Sequence, residues 1–167
     1  MEFTFFETIG LILIIGLMGL IFFKMYLKSK NGSDIKSQFI DRKKNALPIK
    51  LQAYERMVLF CDRINPLKLV VRVSPIDSSS NDYLVLLLKS IEQEFEYNST
   101  QQLYVSNKCW DVVIASKTSV INTLKQIAVN SNNAQELREK LILEYQHKTP
   151  PTDTAIAFIK SEVKKII

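Results

Sequence analysis

The residue types that most often do chemistry are scarce in this chain and are not clustered. The one histidine, His147, lies between Gln146 and Lys148, and the two cysteines, Cys61 and Cys109, show no Cys-x-x-Cys spacing. A metal site needs several His, Cys, Asp or Glu side chains close together. The sequence therefore predicts no metal site and no cofactor.

Catalysis by a nucleophile or a phosphate loop is not indicated either. A catalytic serine or cysteine needs an adjacent base, and the only histidine lies in a connector before two prolines. Glu92, Glu94 and Glu96 alternate, which on a helix spreads them around the axis. All four glycines lie within residues 1–32, so a glycine-rich loop is excluded beyond Gly32. We therefore expect a protein that is not an enzyme.

Two arginines are candidates for contact with a partner. Adjacent charges on a helix do not face each other, so Glu55 is not expected to hold Arg56. One interpretation has Arg56 or Arg63 bridging to Glu94 or Glu96 on a later helix. The other leaves Arg56 on the surface, solvated, while Tyr54 lies in the core.

Trp110, the only tryptophan, is the third candidate for partner contact. The sequence favours a core position for it, with an exposed docking residue as the alternative. In the core interpretation it packs with Leu87, Leu88 and Phe95 against Tyr54 and Val58.

An apolar segment at residues 3–23 has the length of a membrane-spanning helix. The helices that must position the candidate residues follow it along the chain. Signal peptides carry a basic start and a small-residue cleavage site, and neither is present here, so we expect an uncleaved anchor. The predicted membrane-anchor residues are Phe3, Ile9, Leu13, Leu17, Leu20 and Phe23.

Basic residues follow this segment and none precede it. Residues 24–50 carry eight Lys or Arg against two Asp, whereas residues 51–167 carry 14 basic and 13 acidic groups. The positive-inside rule therefore predicts one span (residues 1–28) with the N-terminus outside and the remainder in the cytoplasm. The juxtamembrane basic residues are Lys24, Lys28, Lys30, Arg42, Lys43 and Lys44.

Residues 29–46 are predicted to be a polar, basic linker, in part helical from Ser33 or Asp34. In the simplest interpretation it fixes topology and stays solvated. Binding of anionic lipid is the second interpretation and contact with RNA phosphate the third. Because charge beyond residue 50 is nearly balanced, nucleic acid is the least favoured partner.

Residues 47–167 are predicted to form a compact domain of amphipathic helices, which makes the fold all-α. The first helix begins at Leu47, with Pro48 in its first turn. Residues 67–73 are predicted as a short helix, the alternative being a strand paired with residues 102–105. Longer helices follow, one at residues 83–98 and others later in the chain. The predicted helix caps are Asn65, Ser106, Asn133 and Thr152.

Three stretches of sequence and one tryptophan, taken in chain order, resemble an uncharacterised family. Its members are short membrane-anchored bacterial proteins, typical of Bacteroidetes and known only as a domain of unknown function. The parts that carry the resemblance are residues 47–66 (LPIKLQAYERMVLFCDRINP), residues 94–106 (EFEYNSTQQLYVS), Trp110 and residues 149–160 (TPPTDTAIAFIK). The resemblance implies a bacterial inner-membrane protein with a cytoplasmic helical domain. It implies no activity, substrate or catalytic residue.

By elimination, we expect a non-enzymatic single-pass inner-membrane protein whose helical domain binds a partner protein, as an accessory subunit or adaptor. One alternative is contact with RNA or the ribosome through the basic linker. Another is self-assembly into a membrane scaffold through the face of the helix at residues 47–61.

Overall fold

The computed structural model describes the backbone of residues 5–167 and the side chains of residues 9–28 and 46–167. In this part of the chain every regular element is helical, which confirms the all-α prediction. Residues 67–72 are helix rather than strand, and Val73 is the extended residue that follows the helix. The α-helices are α1 (Phe5–Arg63), α2 (Pro66–Arg72), α3 (Ser80–Asn98), α4 (Asn107–Val129), α5 (Ala134–Gln146) and α6 (Pro151–Ile166), with a 3-10 helix (Ser99–Leu103) between α3 and α4.

The chain divides into two compact units between Leu47 and Pro48. The first contains the exposed stretch Ile9–Lys28, with a mean hydropathy of 2.3, which by length and composition could span a membrane or be a signal sequence. The division into residues 1–28, 29–46 and 47–167 stays a prediction. Phe3 lies outside the described residues, and the other anchor residues are exposed here: Ile9, Leu13, Leu17, Leu20 and Phe23.

Helix α1 continues where the sequence predicts a linker and then a new helix. Residues 29–46 are helical, and Pro48 lies inside α1 rather than in a first turn. Residues 35–47 contain neither glycine nor proline, and four of them are Lys or Arg, which favour a helix, so nothing local ends the helix there. Lys24 and Lys28 are exposed. The side chains of Lys30, Arg42, Lys43 and Lys44 lie outside the described residues.

The second unit buries one apolar core, to which each of its α-helices contributes a face. Helix α4 is central, because it packs against α3, α5 and α6. The C-terminal part of α1 contributes Met57, Phe60 and Cys61, which are almost fully buried. The opposite face of this part of α1 is therefore outside the core and can line a cleft at the surface.

Side-chain caps begin four helices of this unit. The side chains of Asn65, Ser79, Ser106 and Asn133 accept hydrogen bonds from backbone N–H groups in the first turns of α2, α3, α4 and α5. The predicted caps at three of these positions are confirmed. Ser79, which was not predicted, begins α3 three residues earlier than the apolar pattern indicates.

The predicted cap at Thr152 is wrong. Helix α6 begins at Pro151, and the residue before it, Pro150, makes no side-chain cap. Two prolines fix the backbone near helical φ values, so the helix starts without a hydroxyl acceptor. Thr152 is fully buried in the first turn, and its Oγ1 accepts a hydrogen bond from Asn65 Nδ2 at 3.1 Å.

Candidate functional site

One largely buried carboxylate, that of Glu94 in α3, holds two arginines. Arg63 Nη1 donates to Glu94 Oε1 at 2.7 Å, and Arg72 Nη1 donates to the same oxygen at 3.3 Å. The hydrogen bond that Arg63 donates to Glu94 raises the pKa of Arg63 above its usual value. The interpretation in which Arg63 bridges to Glu94 is confirmed, and Arg72 is a second partner that the sequence did not indicate.

This ion cluster forms part of a cleft of about 580 Å³, which we call the α1–α3 cleft. It lies between the C-terminal part of α1, the end of α3 and the following 3-10 helix. Among the residues that line it are Arg56, Arg63, Tyr97, Asn98, Gln101 and Tyr104. The structure thus brings together two of the three candidate interaction residues, which lie two helical turns apart on α1.

Arg56 is exposed in the α1–α3 cleft and makes no hydrogen bond or ion pair with any described side chain. It is therefore a solvated positive charge, as one of the two interpretations expected. The charged side chains that line the cleft are therefore two arginines, Arg56 and Arg63, and one carboxylate, Glu94. Positive charge is in excess there, so the cleft favours anionic groups.

Asn98 lines the same cleft and is only 6% exposed. Its Nδ2 donates to the carbonyl oxygen of Glu94 at 2.7 Å, but its Oδ1 has no hydrogen-bond partner in the described part of the chain. A buried acceptor without a donor costs about 1–3 kcal/mol. The fold therefore carries a polar group at the cleft that its own contacts do not satisfy.

Large side chains at the edge of the cleft are exposed to solvent. Tyr97 is 72% exposed and Leu103, which adjoins the lining residue Tyr104, is 76% exposed. Tyrosine and arginine are the residue types most enriched among those that dominate protein interfaces. The sequence analysis did not single out Tyr97; its signal is a tyrosine about 80–120° around the α3 axis from the buried Leu87 and Ile91.

Trp110, the third candidate, does not line the α1–α3 cleft. It is partly buried against the core, and its ring centroid lies 5.8 Å from that of Phe95. Phe95 in turn lies 6.0 Å from Phe60, and Lys117 Nζ stands 3.8 Å from the centroid of the Phe95 ring. The structure therefore places Trp110 in an aromatic row at the edge of the core.

A second polar cluster joins α1, α4 and α6. Ser106 Oγ lies 2.8 Å from both carboxylate oxygens of Glu162, and Tyr54 Oη donates to Glu162 Oε2 at 3.0 Å. Burial raises the pKa of Tyr54. Because Ser106 Oγ also accepts the capping hydrogen bond from Cys109 N at 3.0 Å, its hydroxyl is committed to holding the three helices together.

The described side chains include no group of three or more His, Cys, Asp or Glu arranged to hold a metal ion. Both cysteines are buried free thiols. Burial raises the pKa of Cys61 and of Cys109 to about 12. Their reactive thiolate forms are therefore scarce at neutral pH.

Fold and cleft together define an all-helical domain with a basic, tyrosine-edged cleft, following a helical segment apolar enough to span a membrane. The chain belongs to a family of unknown function, DUF7935, whose model matches residues 3–166. No curated protein and no solved structure matches it. Inferences about function therefore rest on the α1–α3 cleft and on the apolar segment.

Proposed function

We propose that this protein is a membrane-anchored binding protein, not an enzyme, whose helical domain holds a partner protein in the α1–α3 cleft. The observation that carries the proposal is one cleft that combines the solvated Arg56 with the exposed Tyr97. In protein interfaces a few such side chains supply most of the binding energy. A volume of about 580 Å³ admits several side chains of a partner segment.

In this proposal the stretch Ile9–Lys28 is an uncleaved span of the bacterial inner membrane, with the N-terminus outside. Its length and apolar character support a span. Lys24 and Lys28 at its C-terminal end, followed by further basic residues, support a cytoplasmic location for the helical domain. The domain then serves as an accessory subunit or adaptor for a protein at the cytoplasmic face.

Purification of the full chain in a mild detergent, with mass spectrometry of co-purifying proteins, tests this function. Tyr97→Ala removes the exposed ring from the cleft, and Val129→Ala is its control, because Val129 is 86% exposed and does not line the cleft. We expect one partner in stoichiometric amount with the wild type and Val129→Ala, reduced at least about tenfold with Tyr97→Ala. Equal recovery with all three proteins, or no stoichiometric partner, contradicts the proposal.

A further inference from the structure

The α1–α3 cleft has more cationic groups than the fold itself uses. Arg63 and Arg72 share the single carboxylate of Glu94, and Arg56 has no partner among the described side chains. Arg63 is also half exposed, with its side chain at 49%. A guanidinium group binds a carboxylate through two parallel N–H donors. The cleft therefore has room and charge for carboxylates that come from another molecule.

The spacing of the two arginines indicates how these carboxylates are arranged. Arg56 and Arg63 are two turns apart on α1, so their Cα atoms are separated by about 10 Å. When the two side chains extend in parallel, each guanidinium group can bind a carboxylate of its own. In an extended peptide, residues two to four positions apart are separated by about 7–13 Å. Two acidic residues at that spacing match the two arginines.

The rest of the lining fits the backbone of an extended peptide. Such a segment exposes N–H and C=O groups that need partners, and the cleft offers the side-chain amides of Gln52 and Gln101. Asn98 Oδ1 is an acceptor that lacks a donor. Tyr97 and Tyr104 give apolar faces against which a side chain between the two acids can pack.

A nucleic acid fits this lining less well than a peptide. A phosphate backbone is bound by continuous basic surface, whereas the carboxylate of Glu94 lines this cleft together with the two arginines. Residues 51–167 carry 14 basic and 13 acidic groups, so no basic surface of that kind is available from composition. The charge is local, and it suits one or two carboxylates.

We infer that the α1–α3 cleft binds an extended, acidic segment of the partner, with two carboxylates that pair with Arg56 and Arg63 and an apolar residue between them on Tyr97. The inference rests on the proposed function and names the chemistry of its partner. It makes charge at residue 56 the determinant of specificity.

The probe that tests it is a displayed library of random linear peptides, about twelve residues long, selected on the full chain in detergent. We expect enriched sequences with two Asp or Glu residues two to four positions apart. A synthetic peptide of that sequence should bind Arg56→Gln at least about tenfold more weakly. Lys125→Gln, which removes an exposed charge from α4 outside the cleft, should leave its affinity unchanged.

Charge reversal sharpens the test. Selection on Arg56→Glu should enrich peptides with Lys or Arg in place of one of the two acids. Arg56 is exposed and makes no hydrogen bond or ion pair with other described side chains, so this variant should keep the wild-type helical content by circular dichroism.

Three results overturn the inference, and they separate it from the proposed function. If the enriched peptides lack acidic residues and their binding is lost with Tyr97→Ala, the inference of an acidic segment is wrong, while the proposed function stands. Binding of an oligouridylate that is lost with Arg56→Gln, with no peptide enriched, assigns the cleft to nucleic acid and overturns both. The absence of any cleft-dependent binder also overturns both.

Discussion

Cys61 and Cys109 are buried thiols whose pKa values are raised to about 12. Above the ordinary thiol pKa the unfolded chain releases these protons while the folded chain keeps them, so the free energy of unfolding falls as pH rises. The thiol contribution is fully present below about pH 8.5 and is lost on the way to about pH 12, at about 1.4 kcal/mol per pH unit for each group.

We therefore expect the melting temperature, measured with a reductant present, to fall between about pH 9 and pH 11 more steeply for the wild type than for the Cys61→Ala/Cys109→Ala double variant. The comparison concerns slopes, because loss of two buried side chains lowers stability at every pH. Parallel slopes would show that the thiols are not protected from ionisation in the folded protein.

Trp110 packs against Phe95 at the edge of the core and is only partly buried. Trp110→Ala should therefore lower the free energy of unfolding by about 3 kcal/mol, the lower end of the range for buried aromatic residues. Chemical denaturation of the full chain measures it. Tyr97→Ala is the control, and because that ring is 72% exposed its effect should stay within about 0.5 kcal/mol.

The docking interpretation of Trp110 forecasts the reverse outcome. In that case Trp110→Ala leaves stability nearly unchanged and abolishes co-purification of the partner. Since Trp110 does not line the α1–α3 cleft, we expect the stability effect, with partner binding retained by the fraction that is folded.

Local signals in the sequence predicted the roles of individual residues well. They did not predict contacts between residues that are far apart along the chain. The link from Arg63 to Glu94 was one of several open pairings, because a surface arginine on one helix can reach several carboxylates on the next. Nothing local joins Tyr54 and Ser106 to Glu162, which are separated from it by 108 and 56 positions along the chain. The sequence did not predict the α1–α3 cleft either, because its lining residues come from separate helices.

Asn65 connects two helices that are far apart in sequence. Its Oδ1 accepts the hydrogen bond from Leu67 N that begins α2, while its Nδ2 donates to Thr152 Oγ1 and to Asp153 Oδ1 of α6, each at 3.1 Å. Asn65→Ala removes a cap worth about 1 kcal/mol and two further hydrogen bonds worth about 0.5–1.5 kcal/mol each. We expect a loss of about 2–4 kcal/mol in the free energy of unfolding.

The ordinary cap at Ser79 provides the matched comparison. Its side chain accepts one hydrogen bond, from Asp82 N at 3.2 Å, so Ser79→Ala should cost about 1 kcal/mol. Denaturant titration of both variants compares them directly. Equal losses would mean that the contacts of Asn65 with α6 add nothing to its capping role.

Helix boundaries were predictable where a capping side chain marks them and not where the backbone alone decides. Ser106 and Asn133 bond to N–H groups three residues ahead, a pattern visible in sequence. Thr152 resembles such a cap, but α6 begins at Pro151, two residues before the start that a cap at Thr152 would give. Polarity alone predicted a linker at residues 29–46, whereas α1 continues through Gly32, because residues 35–47 contain neither glycine nor proline.

For the whole molecule, the membrane assignment has a direct topological test. Because the basic residues lie on the C-terminal side of the apolar stretch, a reporter enzyme that is active only outside the cytoplasm, fused after Ile167, should be silent in a bacterial host. The same reporter joined ahead of Met1 should be active. The opposite pattern would place the helical domain outside, and a reporter found free of the membrane would indicate a cleaved signal sequence.

The most direct measurement uses a photoreactive benzoyl-phenylalanine at residue 97 of the full chain, in membranes of the cells that naturally make it. Irradiation should yield one discrete protein adduct, which is absent with the probe at residue 129 and is lost when Arg56→Glu is added, because in our proposal the partner binds in the α1–α3 cleft, which residue 129 does not line. The same adducts from both positions, or no adduct at residue 97, would contradict partner binding in this cleft.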